Sequence, residues 1–182
     1  YFANEHELYY IFERSDRSIP NVQELSIPFN ISPVVRKLRW WMWNLDLACN
    51  FRSSSYQKEL EKTLDEIQPD IIHCHFGYEA LKFLQNTDTK IPILVHFHGY
   101  DASQMLSKKS YLKAIKKEFV RLKVSPIAVS NYMRASLENS GMNMAHSYLL
   151  RYGIDLSKFE PTIHSEKQSS GTTFLQVSSL AE

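Results

Sequence analysis

Two short segments carry the residues best suited to chemistry: His73-Cys74-His75-Phe76-Gly77 and His96-Phe97-His98-Gly99-Tyr100-Asp101. Imidazole donates and accepts hydrogen bonds, titrates near neutral pH and ligates metals. Glycine lets a backbone turn sharply or a ligand approach closely. Each segment belongs to a short apolar run, within Asp70 to Gly77 in one case and Ile91 to Phe97 in the other, that reads as a buried parallel strand. Side chains alternate along a strand, so His73 and His75 share a face, as do His96 and His98. Ligands of an open parallel sheet sit outside the carboxyl ends of its strands. His75 and His98 are outermost and are expected to reach that crevice, with Gly77 and Gly99 beside them. The plain alternative is that these histidines only satisfy backbone groups at strand ends; two strand ends of the same make-up weigh against it. Two His-x-His pairs could also make a zinc site. No cysteine or carboxylate completes a familiar spacing, and His73 and His96 are expected to lie under helices, so no metal and no cofactor are expected.

The elements around these segments follow from periodicity. Leu8 to Phe12 reads as a strand, and residues 15–34, with Pro20, Pro28 and Pro33, read as irregular. Val34 to Leu47 is a helix candidate. Tyr56, Leu60, Leu64 and Ile67 recur at helical spacing over 55–68, and Pro69 ends that helix. Residues 78–86 look helical, Leu112, Ile115, Phe119 and Leu122 mark another helix, and Pro126 to Val129 a third buried strand. Ser130 can cap a helix over 131–139 that Gly141 can terminate, and Tyr148 to Leu150 suggests a further strand. Strands and helices in alternation predict an α/β fold, a Rossmann-like doubly wound parallel sheet. The polar stretch 164–172 reads as a linker, and Thr173 to Val177 as a new strand. The expected domains are therefore 1–163, a linker at 164–172, and the first strand of a second domain at 173–182.

Composition narrows the function classes. The chain has 182 residues, 43% of them apolar, enough for one α/β domain with a core and not the make-up of a disordered chain. A net charge of +1 gives no electrostatic footprint for a nucleic acid. Two cysteines, Cys49 and Cys74, make no disulfide framework and suggest a reducing compartment. No apolar run is long enough to span a membrane. The first residue is Tyr1 and no charged-then-apolar leader follows it, which reads as a fragment whose N-terminal segment lies elsewhere. No Gly-x-Gly-x-x-Gly, P-loop or Gly-x-Ser-x-Gly elbow occurs.

Five motifs in order resemble family 4 glycosyltransferases, especially the branch of colanic acid and other exopolysaccharide synthesis. They are Pro69-Asp70-Ile71-Ile72-His73-Cys74-His75-Phe76-Gly77, Val95-His96-Phe97-His98-Gly99-Tyr100-Asp101, Ile127-Ala128-Val129-Ser130-Asn131, Tyr152-Gly153-Ile154-Asp155-Leu156-Ser157-Lys158-Phe159 and Phe174-Leu175-Gln176-Val177-Ser178-Ser179-Leu180-Ala181-Glu182. The resemblance covers about residues 69–182; residues 1–68 share only the element pattern. It implies the N-terminal, acceptor-side domain of a GT-B fold, facing a donor-binding C-terminal domain across a cleft. It implies a transferase, retaining and metal-free, that uses a nucleotide sugar and a saccharide or lipid-linked acceptor. His98 matches the family's histidine beside the donor sugar and is the expected catalytic residue. His75, Gly77, Gly99, Tyr100, Asp101, Ser130, Tyr152 and Gly153 are the expected substrate-binding residues. The family's opening strand and glycine-rich loop have no counterpart, its Gly-Arg stands here as Ser178-Ser179, and its glutamate pair would fall past Glu182, so this stretch alone is expected to be inactive. A different GT-B enzyme, such as a sugar-nucleotide epimerase, and a non-catalytic sugar-binding module are the alternative readings.

One segment stands apart from that machinery. Arg36, Lys37 and Arg39 precede Trp40-Trp41-Met42-Trp43. Basic residues beside tryptophans suit the headgroup region of an anionic membrane, and a cytoplasmic protein held at the inner face of the plasma membrane would follow. A protein partner, or burial of one face through Val35, Leu38, Met42 and Leu45, are the other expectations. Consecutive helical residues diverge by about 100°, so the three tryptophans are not all expected on one buried face.

Overall fold

The structure, a computed structural model, describes residues 6–12 and 21–158. The chain divides into two units, Tyr1–Tyr152 and Gly153–Glu182. In the first unit, β3 (Ile72–His75), β4 (Ile93–His96), β5 (Ser125–Ala128) and β6 (Tyr148–Leu149) form one parallel sheet in the order β3-β4-β5-β6. Helices α3 (Gly77–Leu84), α4 (Lys109–Leu122) and α5 (Asn131–Asn139) link successive strands. This is the expected α/β Rossmann-like arrangement, with the three central apolar runs as neighbouring parallel strands.

Upstream lie β1 (Tyr9–Phe12), β2 (Gln23–Ser26), α1 (Pro33–Asn44) and α2 (Ser54–Ile67). The expected irregular stretch 15–34 is corrected in part, because Gln23–Ser26 pairs in parallel with β1. The prolines fall outside those four residues, so none removes a ladder donor there. The expected linker 164–172 and strand 173–177 lie outside the described residues. In the second unit, described over 153–158, a 3-10 turn spans Leu156–Lys158, and the Asp155 carboxylate accepts from the Ser157 backbone N–H at 3.1 Å.

The sheet positions the site by sorting its two faces. Ile93, Val95 and Phe97 point into the main core, with Ala80, Leu81 and Leu84 of α3, Tyr111, Ile115 and Phe119 of α4, and Leu137 of α5. The intervening His96 and His98 must then point the other way. Cys74 packs against the same core, leaving His73 and His75 on the histidine side. Burial of the thiols pushes Cys49 and Cys74 up to about 12, so neither is a ready nucleophile.

The helices obey their sequence signals. Tyr56, Leu60, Thr63 and Leu64 are the buried residues of α2, which ends on Gln68 in the left-handed region just before Pro69. The Ser130 hydroxyl accepts from the Met133 N–H at 3.1 Å and caps α5. Helix α4 takes its cap from a distance: the Asp46 carboxylate accepts from the backbone N–H groups of Lys109 and Ser110 at 2.8 and 2.9 Å. The Ser110 hydroxyl bond, the largest influence, and those N–H groups hold Asp46 below the usual carboxylate range.

Candidate functional site

The site is built where β3 and β4 end. The parallel register sets His75 opposite His96 and His73 opposite Leu94. His73, His75 and His96 therefore lie on one face, and His98 joins them at the strand exit. Ring centroids are 4.3 Å apart for His73–His75, 5.4 Å for His75–His96, 4.5 Å for His96–His98 and 5.1 Å for His75–His98. His73 is exposed, correcting the expectation that it lies under a helix; β3 is the edge strand of this sheet and leaves its outer residues open. His96, on the inner strand, is buried as expected at 5% exposure.

Tyr152 covers the cluster from the end of the first unit. Its ring stacks on His98 at 5.8 Å and 17°, and on His96 at 6.1 Å and 22°. The Tyr152 hydroxyl hydrogen-bonds to His98 Nδ1, and His98 Nε2 to His75 Nδ1 at 2.9 Å. This makes a continuous chain from phenol to two imidazoles. A proton arrangement can run along it in either sense: His75 donating to His98 and His98 to Tyr152, or the reverse.

Two turns hold this chain in place, and one buried carboxylate joins them. Asp101 is 2% exposed. Its Oδ2 accepts from the Gly77 N–H at 2.6 Å, and its Oδ1 accepts from the His98 and Gly99 N–H groups at 2.9 and 3.0 Å. The exit of β3 is thereby tied to the exit of β4. Gly99 has φ 130°, a conformation L side chains rarely adopt. Gly77 is needed for close approach: a Cβ there would sit 2.4 Å from the Tyr111 hydroxyl and 2.6 Å from Phe97 Cε1. The left-handed residue at the β3 exit is Phe76 (φ 63°), whose exposed ring lies 4.3 Å from that of His98.

The structure thus brings His75, His98 and Tyr152 together, with Gly77, Gly99 and Asp101 as the frame beneath them. Tyr100 is exposed on the 3-10 turn Tyr100–Ala102. Ser130 sits one strand further on, its hydroxyl oxygen engaged in the α5 cap. Gly153 begins the second unit. Sequence reasoning missed Phe76 as a site residue, and set aside, with the zinc reading of the two His-x-His pairs, the joining of His73 and His96 to the same cluster.

Electrostatics favour neutral imidazoles. Loss of solvent is the first cause pushing His75 down to about 4, followed by the neighbouring His73, His98 and His96. Burial and the adjacent histidines lower His73 and His96 as well, with Asp101 opposing this for His96. Neither ring nitrogen of His96 has a hydrogen-bond partner among the described residues. Neutral imidazoles beside a phenol offer both donors and acceptors, which suits a polyhydroxylated ligand; the aromatic faces suit the apolar face of a sugar ring.

Residues 2–158 match the family model described as Glycosyltransferase Family 4. Comparison with curated proteins gave no match.

Proposed function

The chain belongs to glycosyltransferase family 4, and from that membership we propose that it moves a sugar from a nucleotide-sugar donor to a saccharide or lipid-linked acceptor, with retention at the anomeric carbon, in polysaccharide synthesis. The observation that carries this reading is the fixed position of His98. Its backbone is pinned by Asp101 and its ring is held between His75 and Tyr152. A sugar hydroxyl that takes the place of the Tyr152 hydroxyl at His98 Nδ1 would meet an oriented imidazole, which can hold the ring while positive charge develops at the anomeric carbon and negative charge on the leaving diphosphate. Pre-set dipoles of this kind act most strongly where water is excluded. His98 positions the sugar in this scheme and takes no proton from it. No metal has a part in the transfer.

The test is transfer from a panel of labelled nucleotide sugars by the natively expressed enzyme. His98→Ala is expected to lower kcat/KM at least about tenfold, roughly 1.4 kcal/mol of transition-state stabilisation, with the fold intact by circular dichroism. Unchanged kinetics would remove His98 from the reaction. Isomerised nucleotide sugar without transfer would favour an epimerase.

We also propose that α1 meets an anionic bilayer at the inner face of the plasma membrane, where a lipid-linked acceptor would be presented. No residue of α1 is buried; Trp40 is 64% and Trp41 53% exposed. Val34, Lys37, Leu38, Trp40 and Trp41 line one apolar groove. Residues 33–44 include the exposed Arg36 and Lys37 and no acidic residue, and this charge selects anionic lipid as the occupant, while the Arg39 guanidinium donates to the Arg52 carbonyl. The helix is anchored from its other end, where Trp43 packs edge-on to Tyr78 at 5.6 Å and carries the Lys108 ammonium 4.7 Å above its ring. No helix among the described residues is long and apolar enough to cross a membrane. Co-sedimentation with phosphatidylserine vesicles at low salt is expected, and it should be lost in Trp40→Ala/Trp41→Ala. Absent binding, or binding unchanged by that variant, overturns this contact.

A further inference from the structure

The histidine cluster has more ligating capacity than the transfer chemistry uses. The chain Tyr152–His98–His75 occupies both nitrogens of His98 and only Nδ1 of His75. His96, 5% exposed, has both nitrogens unpartnered among the described residues. A buried polar group without a partner loses its hydration for nothing in return, so native structures rarely keep one unless something else binds it. His73 lies on the same face, its ring stacked on that of His96 at 5.5 Å and 11°.

We propose that His73, His75 and His96 form a binding site for one divalent transition-metal ion, with zinc the best match. One ligand nitrogen from each of the three can be chosen so that all lie within 4.8 Å of one another. Zinc–imidazole bonds of about 2.0–2.1 Å set tetrahedral nitrogens ~3.3 Å apart. The remaining gap is within reach of side-chain rotation, since His73 and His75 stand at the exposed sheet edge. Three imidazoles and no carboxylate favour zinc and its late first-row neighbours over magnesium or calcium. Three protein ligands also leave a fourth position for water or an exogenous ligand.

The hydrogen-bond chain fits a ligand role for His75. With His75 Nδ1–H donating to His98 Nε2, and His98 Nδ1–H donating to the Tyr152 oxygen, the His75 Nε2 lone pair is left free. Metal-bound histidines commonly have their other ring nitrogen held in this way, which fixes tautomer and ring orientation. His98 and Tyr152 are therefore positioning residues for the site. The inference is independent of the transferase reading: ion binding is measured without substrate.

The experiment is titration of the untagged, metal-stripped protein with Zn2+ by calorimetry, and with Co2+ by visible absorption, where tetrahedral cobalt gives intense d–d bands. One ion per chain is expected, with cobalt bands in the tetrahedral range. His73→Ala and His96→Ala should each weaken binding at least about a hundredfold, and His98→Ala about ten- to a hundredfold as a supporting partner. His6→Ala and His146→Ala should change nothing. No saturable binding, binding undiminished in His73→Ala, or binding abolished by His146→Ala would each overturn the proposal. His73 is exposed, so its variant decides the matter even if His96→Ala fails to fold.

Discussion

The two ends of α3 handle buried polar groups in opposite ways. At its C-terminal end the buried side chains of Asn86, Gln85 and Glu118 all have partners. Asn86 Oδ1 accepts from the Ser53 N–H at 2.7 Å, and Asn86 Nδ2 donates to the carbonyls of Phe51 and Lys82 at 2.9 and 2.8 Å. Gln85 accepts from the Phe51 N–H and donates to the Cys49 carbonyl. Buried Glu118 is joined by Arg121, which also reaches the Asp88 carboxylate and the carbonyls of Leu84 and Thr87. At the N-terminal end, the two ring nitrogens of His96 and the buried hydroxyl of Tyr111 have no partner among the described residues. A saturated network holds the chain to itself and leaves nothing to offer a ligand. An unsaturated one keeps that capacity, at some expense in stability. The first end is scaffold and the second is where binding is expected.

The sharpest way to break this contrast is to remove the best-connected group. Asn86 is 1% exposed and carries the three bonds just given. Asn86→Ala is expected to destabilise by about 3 kcal/mol, since each lost bond is worth ~1 kcal/mol. Urea denaturation would show it as a lower midpoint at unchanged slope. A loss under ~1 kcal/mol would mean that water or repacking replaces Asn86, and the scaffold reading of that end would fail.

At the other end the frame is steric as well as hydrogen-bonded through Asp101. Gly77→Ala gains helix propensity of up to ~1 kcal/mol. It also drives a methyl to 2.4 Å from the Tyr111 hydroxyl and 2.6 Å from Phe97, both fully buried. The overlap dominates, and a net loss of about 2 kcal/mol is expected. Adding Tyr111→Phe removes one of the two clashes and a hydroxyl without a partner among the described residues, so the double variant should recover part of the loss. Failure to recover any would place the strain at Phe97 alone.

How far the sequence foretold this contrast depends on the residue. His75 and His98 were legible because each closes an apolar run beside a glycine, and the α/β order was legible because three such runs alternate with helical periods. The tryptophans follow helix geometry: residues 40 and 41 diverge around α1, and both are exposed. The meeting of His73 with His96 was not legible. It depends on register, His75 opposite His96, which hydrophobic pattern leaves open between two short buried strands. Phe76 was hidden because nothing in a phenylalanine announces a positive φ; the turn imposes it. The Asn86 network was equally hidden, since an amide two residues past a helix reads as ordinary loop until segment 49–53 folds over it. β2 was lost among prolines that flank it without entering it.

The smallest expected change in stability is also the most discriminating, because its sign differs from that at Asn86. His96→Leu replaces a buried ring, whose nitrogens have no partner among the described residues, with an apolar side chain. In metal-free protein at pH 7 stability should change by less than ~1 kcal/mol, on the stabilising side. Acid adds a second readout. Burial and the neighbouring His98 and His73 lower the His96 pKa in the fold, against the opposing pull of Asp101. The unfolded chain therefore binds the proton more readily than the folded one. The stability tied to keeping His96 neutral is complete above its ordinary value of 6.5 and is lost as pH falls below it. His73 and His75 add to the same acid slope, His75 down to about 4. His96→Leu removes one of these three contributions, so the variant should lose less stability than the wild type between pH 7 and pH 5 in urea titrations with chelator present. Destabilisation at pH 7 by more than ~2 kcal/mol would show that His96 is a bonded scaffold residue of the Asn86 kind, and the distinction between the two ends of α3 would disappear.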